Sequence, residues 1–221
     1  MHEARLSRLF WYCKNPMRDP DIRSELRSQL FAAYGDNPST LILDELGICS
    51  GSARVDMAVV NGELKGFEIK SDRDSLTRLP NQSHLYGKVF DTISAVIGPR
   101  HLQKVESRAP SWWGIIVANP GADGRLQLEK VRDNKINTEQ DPYSLVQLLW
   151  RDEVLELLAR NGLAKGLRNR PRRYLWQTLA MNVCLSDLRA MVREQLKLRT
   201  NWRVAGAHMQ GGVRSPLSAK S

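Results

Sequence analysis

An Asn-Gly pair at positions 61–62, flanked by two segments of alternating polarity, constrains this chain more than any other feature. Asn-Gly between alternating segments is the strongest short-range signal for a β-hairpin. Ala53–Val60 and Leu64–Lys70 are therefore expected to be antiparallel strands joined by a three-residue loop, Asn61-Gly62-Glu63, with Gly62 left-handed in a bulge. Register follows from pleat parity. Val55, Met57 and Val59 share one face of the first strand, and Phe67 and Ile69 share one face of the second. Stacking them on a single core sets Val55 opposite Ile69 and Met57 opposite Phe67, because a one-residue slip turns the whole apolar set outward. The same register sets Asp56 opposite Glu68 and Arg54 opposite Lys70, all on the other face.

Two facing carboxylates repel unless a cation or a proton lies between them. One account is a solvated polar face with modest cross-strand ion pairing. The other is a site, since Mg²⁺ takes one or two carboxylates and completes its shell with water and phosphate oxygens. Lys70 points to the same face as Glu68. An ammonium there can hold an attacking water or offset charge that develops on a phosphate. Asp56, Glu68 and Lys70 are the candidate catalytic residues on this second reading.

Asp56, followed after a short hairpin by Glu68-Ile69-Lys70, resembles the active-site signature of the PD-(D/E)XK nuclease superfamily, with Val55 where the proline of that name would stand. The superfamily usually adds an acid before the hairpin, and Glu45 in Leu43-Asp44-Glu45-Leu46 is the best match. Gln82 and Tyr86 reproduce the Gln-x-x-x-Tyr motif of the RecB-like branch, and the run from Ile42 to His101 resembles uncharacterised bacterial proteins of that superfamily. The resemblance covers roughly residues 20–120. It implies a restriction-endonuclease-like αβββαβ sandwich with a mixed sheet. It also implies a Mg²⁺ (or Mn²⁺) site made by Glu45, Asp56, Glu68 and the carbonyl of Ile69. Arg54, Gln82 and Tyr86 would then lie on the substrate.

The chain has room for one sizeable core and a small second module. Apolar content of 42% and charged content of 26% are ordinary for a folded protein, but the net charge of +9 is unevenly spread. Residues 161–221 hold 12 Lys and Arg against two acids, Asp187 and Glu194, whereas the first 160 residues are close to neutral. A near-neutral body with a basic end points to a polyanionic partner, nucleic acid before membrane. The cysteines, Cys13, Cys49 and Cys184, are odd in number and far apart, which suits neither a disulfide framework nor a zinc site. No segment approaches the ~18 apolar residues of a membrane span, and Leu9–Cys13 is too short for a signal-peptide core. A reducing, cytoplasmic location is expected.

Periodicity supplies the remaining order. Residues 1–18 form a basic leader carrying Phe10 and Trp11. A helix follows, with Asp19 as cap, Pro20 at its first helical position and Gly35 at its end; Ile22, Leu26, Leu30 and Ala33 are its buried stripe, and Arg23 and Glu25 either face the site or, the reading preferred, are surface charge. Thr40–Leu46 is a strand, on which only one of Asp44 and Glu45 can face the site. Pro80 opens a helix through Phe90, on which Gln82 and Tyr86 share a face. They either bridge to a carboxylate or phosphate, or are an exposed Gln and a half-buried Tyr; His84 is surface. Thr92–Ile97, Trp112–Ala118 and Arg125–Val131 are strands, Pro99–Glu106 is helix or turn, residues 119–124 are a loop, and Trp112 and Trp113 are packing residues. From Tyr143 the pattern is helical, with a break near Trp150. A helix, a link through Asn161-Gly162-Leu163, the basic run 168–173 and a second helix then resemble a SAP-like DNA-binding module. The competing reading is a structural cap that docks Trp176 and Leu179. Asp187–Leu198 is a further amphipathic helix.

The expected organisation is a nuclease core at 1–140, a basic helical module at 141–203 and a disordered tail at 204–221. The expected function is Mg²⁺-dependent hydrolysis of DNA, with duplex the expected substrate and a homodimer allowed. Arg168, Arg170, Arg172 and Arg173 would bind backbone phosphates without reading sequence. The rival readings are a catalytically inactive nucleic-acid-binding protein on the same fold, and a partner-binding subunit.

Overall fold

A computed structural model of the chain describes residues 17–121 and 125–199. The leader up to residue 16, residues 122–124 of the expected loop, Cys13 and the tail from 204 onward lie outside the described residues. The elements run in the expected order. Helix α1 (Asp19–Tyr34) is followed by strands β1 (Leu41–Ile48), β2 (Ala53–Val60) and β3 (Leu64–Lys70), helix α2 (Leu79–Gly87) and strand β4 (Thr92–Ile97). Helix α3 (Leu102–Arg108), strands β5 (Gly114–Pro120) and β6 (Leu126–Arg132), and helices α4 (Pro142–Val146), α5 (Arg151–Arg160), α6 (Arg172–Asn182) and α7 (Leu185–Leu198) complete the order. The strands form one six-stranded sheet in sequence order. β1, β2 and β3 are antiparallel, β3, β4 and β5 are parallel, and β6 returns antiparallel to β5. This is the expected α/β architecture with a mixed sheet and helices after it.

Both faces of the sheet are covered, as a sandwich requires, so the account of the hairpin's second face as solvated does not hold. On one side α1 lays Ile22, Leu26 and Leu30 against Ile42, Met57, Val59, Phe67, Ile69 and Val96. Ala33 is exposed rather than part of the stripe. Truncating a core residue such as Leu26 to Ala is expected to cost about 2–5 kcal/mol. On the other side α2, α3 and the C-terminal helices pack on Leu43, Val55, Ala58, Val60, Ala95, Ile97 and Ile115. β4 is buried at every position, as a parallel strand covered on both faces must be. Gly66 on β3 is needed for this packing, because a Cβ there would run into Ile93 and Phe90.

Val55 and Met57 lie in opposite core layers, against the expectation that they share a face. Glu45 supplies the reason. It adopts φ 58°, unusual for a residue with a side chain. Leu43 faces the C-terminal helices, and after Glu45 so do Leu46 and Ile48, which reverses the alternation of β1. Its neighbour β2 follows, through Leu46 opposite Val55. The hairpin loop also differs in detail. Gly62 is not left-handed; the loop is closed by Asn61, whose side chain accepts the Glu63 N–H at 3.1 Å and whose N–H donates to the Glu63 carbonyl at 3.0 Å.

The C-terminal helices belong to the same core as the sheet. Leu157, Leu158, Leu175, Trp176, Leu179, Leu188, Val192 and Leu196 are buried in one continuous cluster with it. The Trp176 indole N–H donates to the Leu149 carbonyl at 3.2 Å. Asp91, only 4% exposed, accepts the Leu64 N–H at 2.6 Å and lies 3.6 Å from Arg189 and 3.4 Å from Arg193 of α7. This clamps the last helix onto the first residue of β3. Cys49 and Cys184 are free thiols. Among the described residues no helix is long and apolar enough to cross a membrane.

Candidate active site

The site sits where β2 and β3 part. Their ladder runs from Val60 opposite Leu64 to Met57 opposite Phe67, so half of the expected register is present. Beyond that point the expected Val55–Ile69 pairing is replaced by a side chain. Asp56 Oδ2 accepts the Ile69 N–H at 2.8 Å, filling the gap in the ladder. Ile69 thus turns its backbone toward the fork, and in an extended strand its carbonyl faces the same neighbour.

Arg23 of α1 reaches over the edge of the sheet to the same carboxylate. Its Nη2 donates to Asp56 Oδ1 at 2.7 Å, its Nη1 donates to the Asp56 carbonyl at 3.0 Å, and Asp19 supports it from one turn earlier. Glu45 lies across from Asp56 and pairs with Arg23 at 3.6 Å and with Arg54 at 3.0 Å. Asp44, the other candidate on β1, is held by Arg27 instead. The choice of Glu45 over Asp44 therefore agrees with the geometry. Arg23 does not behave as surface charge, and burial and the Asp56 carboxylate compete to set its pKa, with a net rise.

Glu68 and Lys70 are buried at 2% and 4% exposure, which overturns the solvated-face account. The Lys70 ammonium donates to Glu68 Oε1, which also accepts from Gln82 Nε2 at 2.6 Å. Glu68 Oε2 lies 2.6 Å from the Tyr86 hydroxyl. That hydroxyl is also 2.8 Å from the Arg54 carbonyl, and its single proton serves one acceptor at a time. Burial, and then the charge of Glu68, push the Tyr86 pKa far up, so the phenol stays a donor. Burial, and then the negative charge of Asp56, raise the Glu68 pKa, against the opposing pull of Lys70. Arg54 does not flank the pair as the register implied; its side chain is 66% exposed and turned to Glu45.

These groups open on one cavity of about 700 Å³, lined by Glu45, Asp56, Glu68, Lys70, Arg54 and Gln82, with Arg78 and Asn81 added from the start of α2. Tyr86 is buried behind Glu68 and stacks on Trp113, with ring centroids 6.0 Å apart. Arg168, Arg170, Arg172 and Arg173 are exposed and line no part of this cavity. Sequence reading missed Arg78 and Asn81, and preferred surface charge for Arg23 over the site-facing reading that the structure shows. Asn81 adjoins Gln82, but nothing in the spacing of Arg23 separates it from surface charge.

The donor set suits a hard divalent ion. Each carboxylate oxygen has about two acceptor sites, and Asp56 Oδ1, Asp56 Oδ2 and Glu68 Oε2 each carry a single hydrogen bond. The mutual repulsion that lifts the Glu68 pKa is what a cation would relieve. Among the described residues no three or more His, Cys, Asp and Glu side chains converge as a metal cluster. An ion here would therefore rest on two carboxylates and water, within what Mg²⁺ accepts.

Comparison with known proteins gives a family. The profile of the family described as Bacteriophage P4 protein cII matches residues 14–206. Protein cII of Enterobacteria phage P4 is 25% identical over 183 residues, covering 83% of this chain and 68% of the phage protein. A solved structure of a protein of unknown function from Silicibacter pomeroyi aligns with a TM-score of 0.36 and 18% identity, over 63% of this chain and 89% of the other, a likeness too low to argue from. The chain belongs to the bacteriophage P4 protein cII family.

Proposed function

We propose that this member of the P4 protein cII family is a metal-dependent endonuclease of the PD-(D/E)XK kind that hydrolyses phosphodiester bonds in DNA. One observation carries the reading: a buried Glu68–Lys70 pair and Asp56 converge at the parting of two strands and open on a cavity edged by Arg54, Arg78 and Gln82. A polar surface would leave these groups in water; burying a charged pair costs desolvation, and a functional role accounts for its being kept.

A divalent ion bound by Asp56 and Glu68 and completed by water would supply a water of lowered pKa and positive charge for the scissile phosphate. The chain's own residues do the rest. Gln82 and Tyr86 hold Glu68 in one orientation, and the Ile69 N–H and Arg23 hold Asp56. Lys70, bound to Glu68 Oε1, places its ammonium where it orients the water and offsets developing charge. Arg54 and Arg78 face the cavity with cationic groups suited to phosphate oxygens. The exposed arginines at 168, 170, 172 and 173 give further contact with duplex backbone.

A specific observation favours the binding-only alternative: Arg23 already provides Asp56 with a cation. The two readings separate in one assay. Supercoiled plasmid and linear duplex are incubated with the protein in Mg²⁺, in Mn²⁺ and in chelator. Nicking or cutting that needs the ion and vanishes in Asp56→Asn is expected; binding without cleavage in every ion leaves only the alternative.

A further inference from the structure

A second cavity, of about 300 Å³, lies beside the first, and both are lined by Gly47 and Gly51. The short turn Cys49–Gly51 at the end of β1 contributes Gly51 to both and Ser50 to the second. The other walls are Leu46, Leu148, Leu149, Trp150, Arg172 and Trp176, with Gln147, Ser50 and Arg199. None of these is an acid. The Trp150 indole is 51% exposed and has the Arg199 guanidinium 4.2 Å from its ring centroid. Arg172 lies 4.5 Å over the Trp176 ring, whereas Arg199 is paired with Glu153 behind the cavity. Arg172 also ends the exposed run Arg168, Arg170 and Arg172, with Arg173 beside it.

We propose that this cavity is a subsite for one unpaired nucleobase, so that the preferred ligand is a duplex with an adjoining single-stranded stretch. The chemistry of the walls selects this occupant. The half-exposed Trp150 indole and the exposed Arg172 guanidinium that covers Trp176 are flat surfaces of the kind that stack on any base face, which is how proteins hold single strands without reading sequence. A cavity this small, at the lower limit for ligand pockets, admits a base and not a duplex. The cationic run beside it follows the phosphates of the same strand. Gly47 and Gly51 leave the passage to the neighbouring cavity bare of side chains; a Cβ at either meets nothing within 4 Å. One strand can therefore lie across the turn, with a phosphate in the first cavity and a base in the second.

The inference rests on nucleic acid being the ligand of the candidate site, but not on cleavage. Its test is therefore made by binding, in chelator, with the full chain. Fluorescence anisotropy compares a dye-labelled blunt duplex with the same duplex carrying a short oligo(dT) overhang. The tailed form is expected to bind about tenfold more tightly, the worth of one stacked base. Trp150→Ala should erase that preference and leave blunt-duplex affinity in place. Gly47→Val provides a second variant that fills the passage from open space on a strand, where a β-branched residue is welcome; it should erase the preference too. Equal affinity for the two DNAs, no DNA binding at all, or a preference that survives both substitutions overturns the subsite. A protein that prefers the overhang but cuts nothing in Mg²⁺ or Mn²⁺ sinks the nuclease reading alone.

Discussion

Arg23 grips Asp56 twice, by a carboxylate oxygen at 2.7 Å and by the main-chain carbonyl at 3.0 Å. A helix on one face of the sheet thereby controls the carboxylate at the mouth of the strand fork. The guanidinium occupies one of the directions from which a metal would approach. Arg23→Met should free Asp56 Oδ1, and the Mg²⁺ concentration for half-maximal thermal stabilisation should fall several-fold. Isothermal calorimetry or a melting series checks it; an unchanged or higher concentration would show that Arg23 orients Asp56 rather than competing for it.

Divalent ion should raise the melting temperature by relieving the Asp56–Glu68 repulsion. A ligand at 100 times its dissociation constant adds about 2.7 kcal/mol. Asp56→Asn should lose the response. A melting curve that ignores both Mg²⁺ and Mn²⁺ would remove the metal from the site.

The raised pKa of Glu68 sets a pH dependence with a definite sign. The folded state holds the Glu68 proton more tightly than the unfolded chain, so this group adds stability at low pH. That contribution falls as pH rises from the ordinary glutamate value of 4.5 through the higher folded value. In chelator, the melting temperature of wild type minus that of Glu68→Gln, which mimics the protonated acid, should fall steadily over this range, moving in favour of the Gln variant. A difference that grows with pH would mean that Lys70 outweighs burial and Asp56.

Lys70→Ala removes one partner of a buried pair, which typically costs about 3–5 kcal/mol. Melting and cleavage must therefore be measured together, below the variant's transition. Cleavage should drop ~10²–10³-fold, the usual worth of one preorganised group facing developing charge, while duplex affinity changes little. Equal losses of binding and cleavage would make Lys70 a phosphate ligand only.

Neutralising Arg168, Arg170 and Arg173 to Gln should lower the salt slope of duplex binding by about one for each phosphate that is no longer neutralised. Deletion from residue 161 onward would not test this, because α6 and α7 carry Trp176, Leu188 and Leu196 into the shared core. A variant with an unaltered slope would leave the basic run without a role in duplex binding.

Local chemistry was legible wherever it acted within a few residues. Alternation and Asn61-Gly62 gave the bounds of β2 and β3 as observed, and the apolar run gave Thr92–Ile97. Facing acids pointed to Asp56 and Glu68, and the four-residue spacing put Gln82 and Tyr86 on one face, where both meet Glu68. What was hidden depends on tertiary geometry. Arg23 sits next to Ile22 at the margin of a buried stripe, and its partner follows from how α1 crosses the sheet. A left-handed glutamate at 45 runs against every local preference, so the switch of faces at Val55 had no signal. The positive charge of the last third suggested a separate module, yet charge describes the wet side of a helix and is silent about its buried side.

The clamp on Asp91 has a consequence for how the protein is made. Asp91 is buried beside the first residue of β3, and its nearest cations, Arg189 and Arg193, come from the last described helix. A ribosome delivers the hairpin that carries Asp56, Glu68 and Lys70 long before those arginines. Until they arrive, Asp91 has the Leu64 N–H as a partner but neither cation. A chain that stops short of Arg189 would carry the acids of the site without either of the cations that face Asp91.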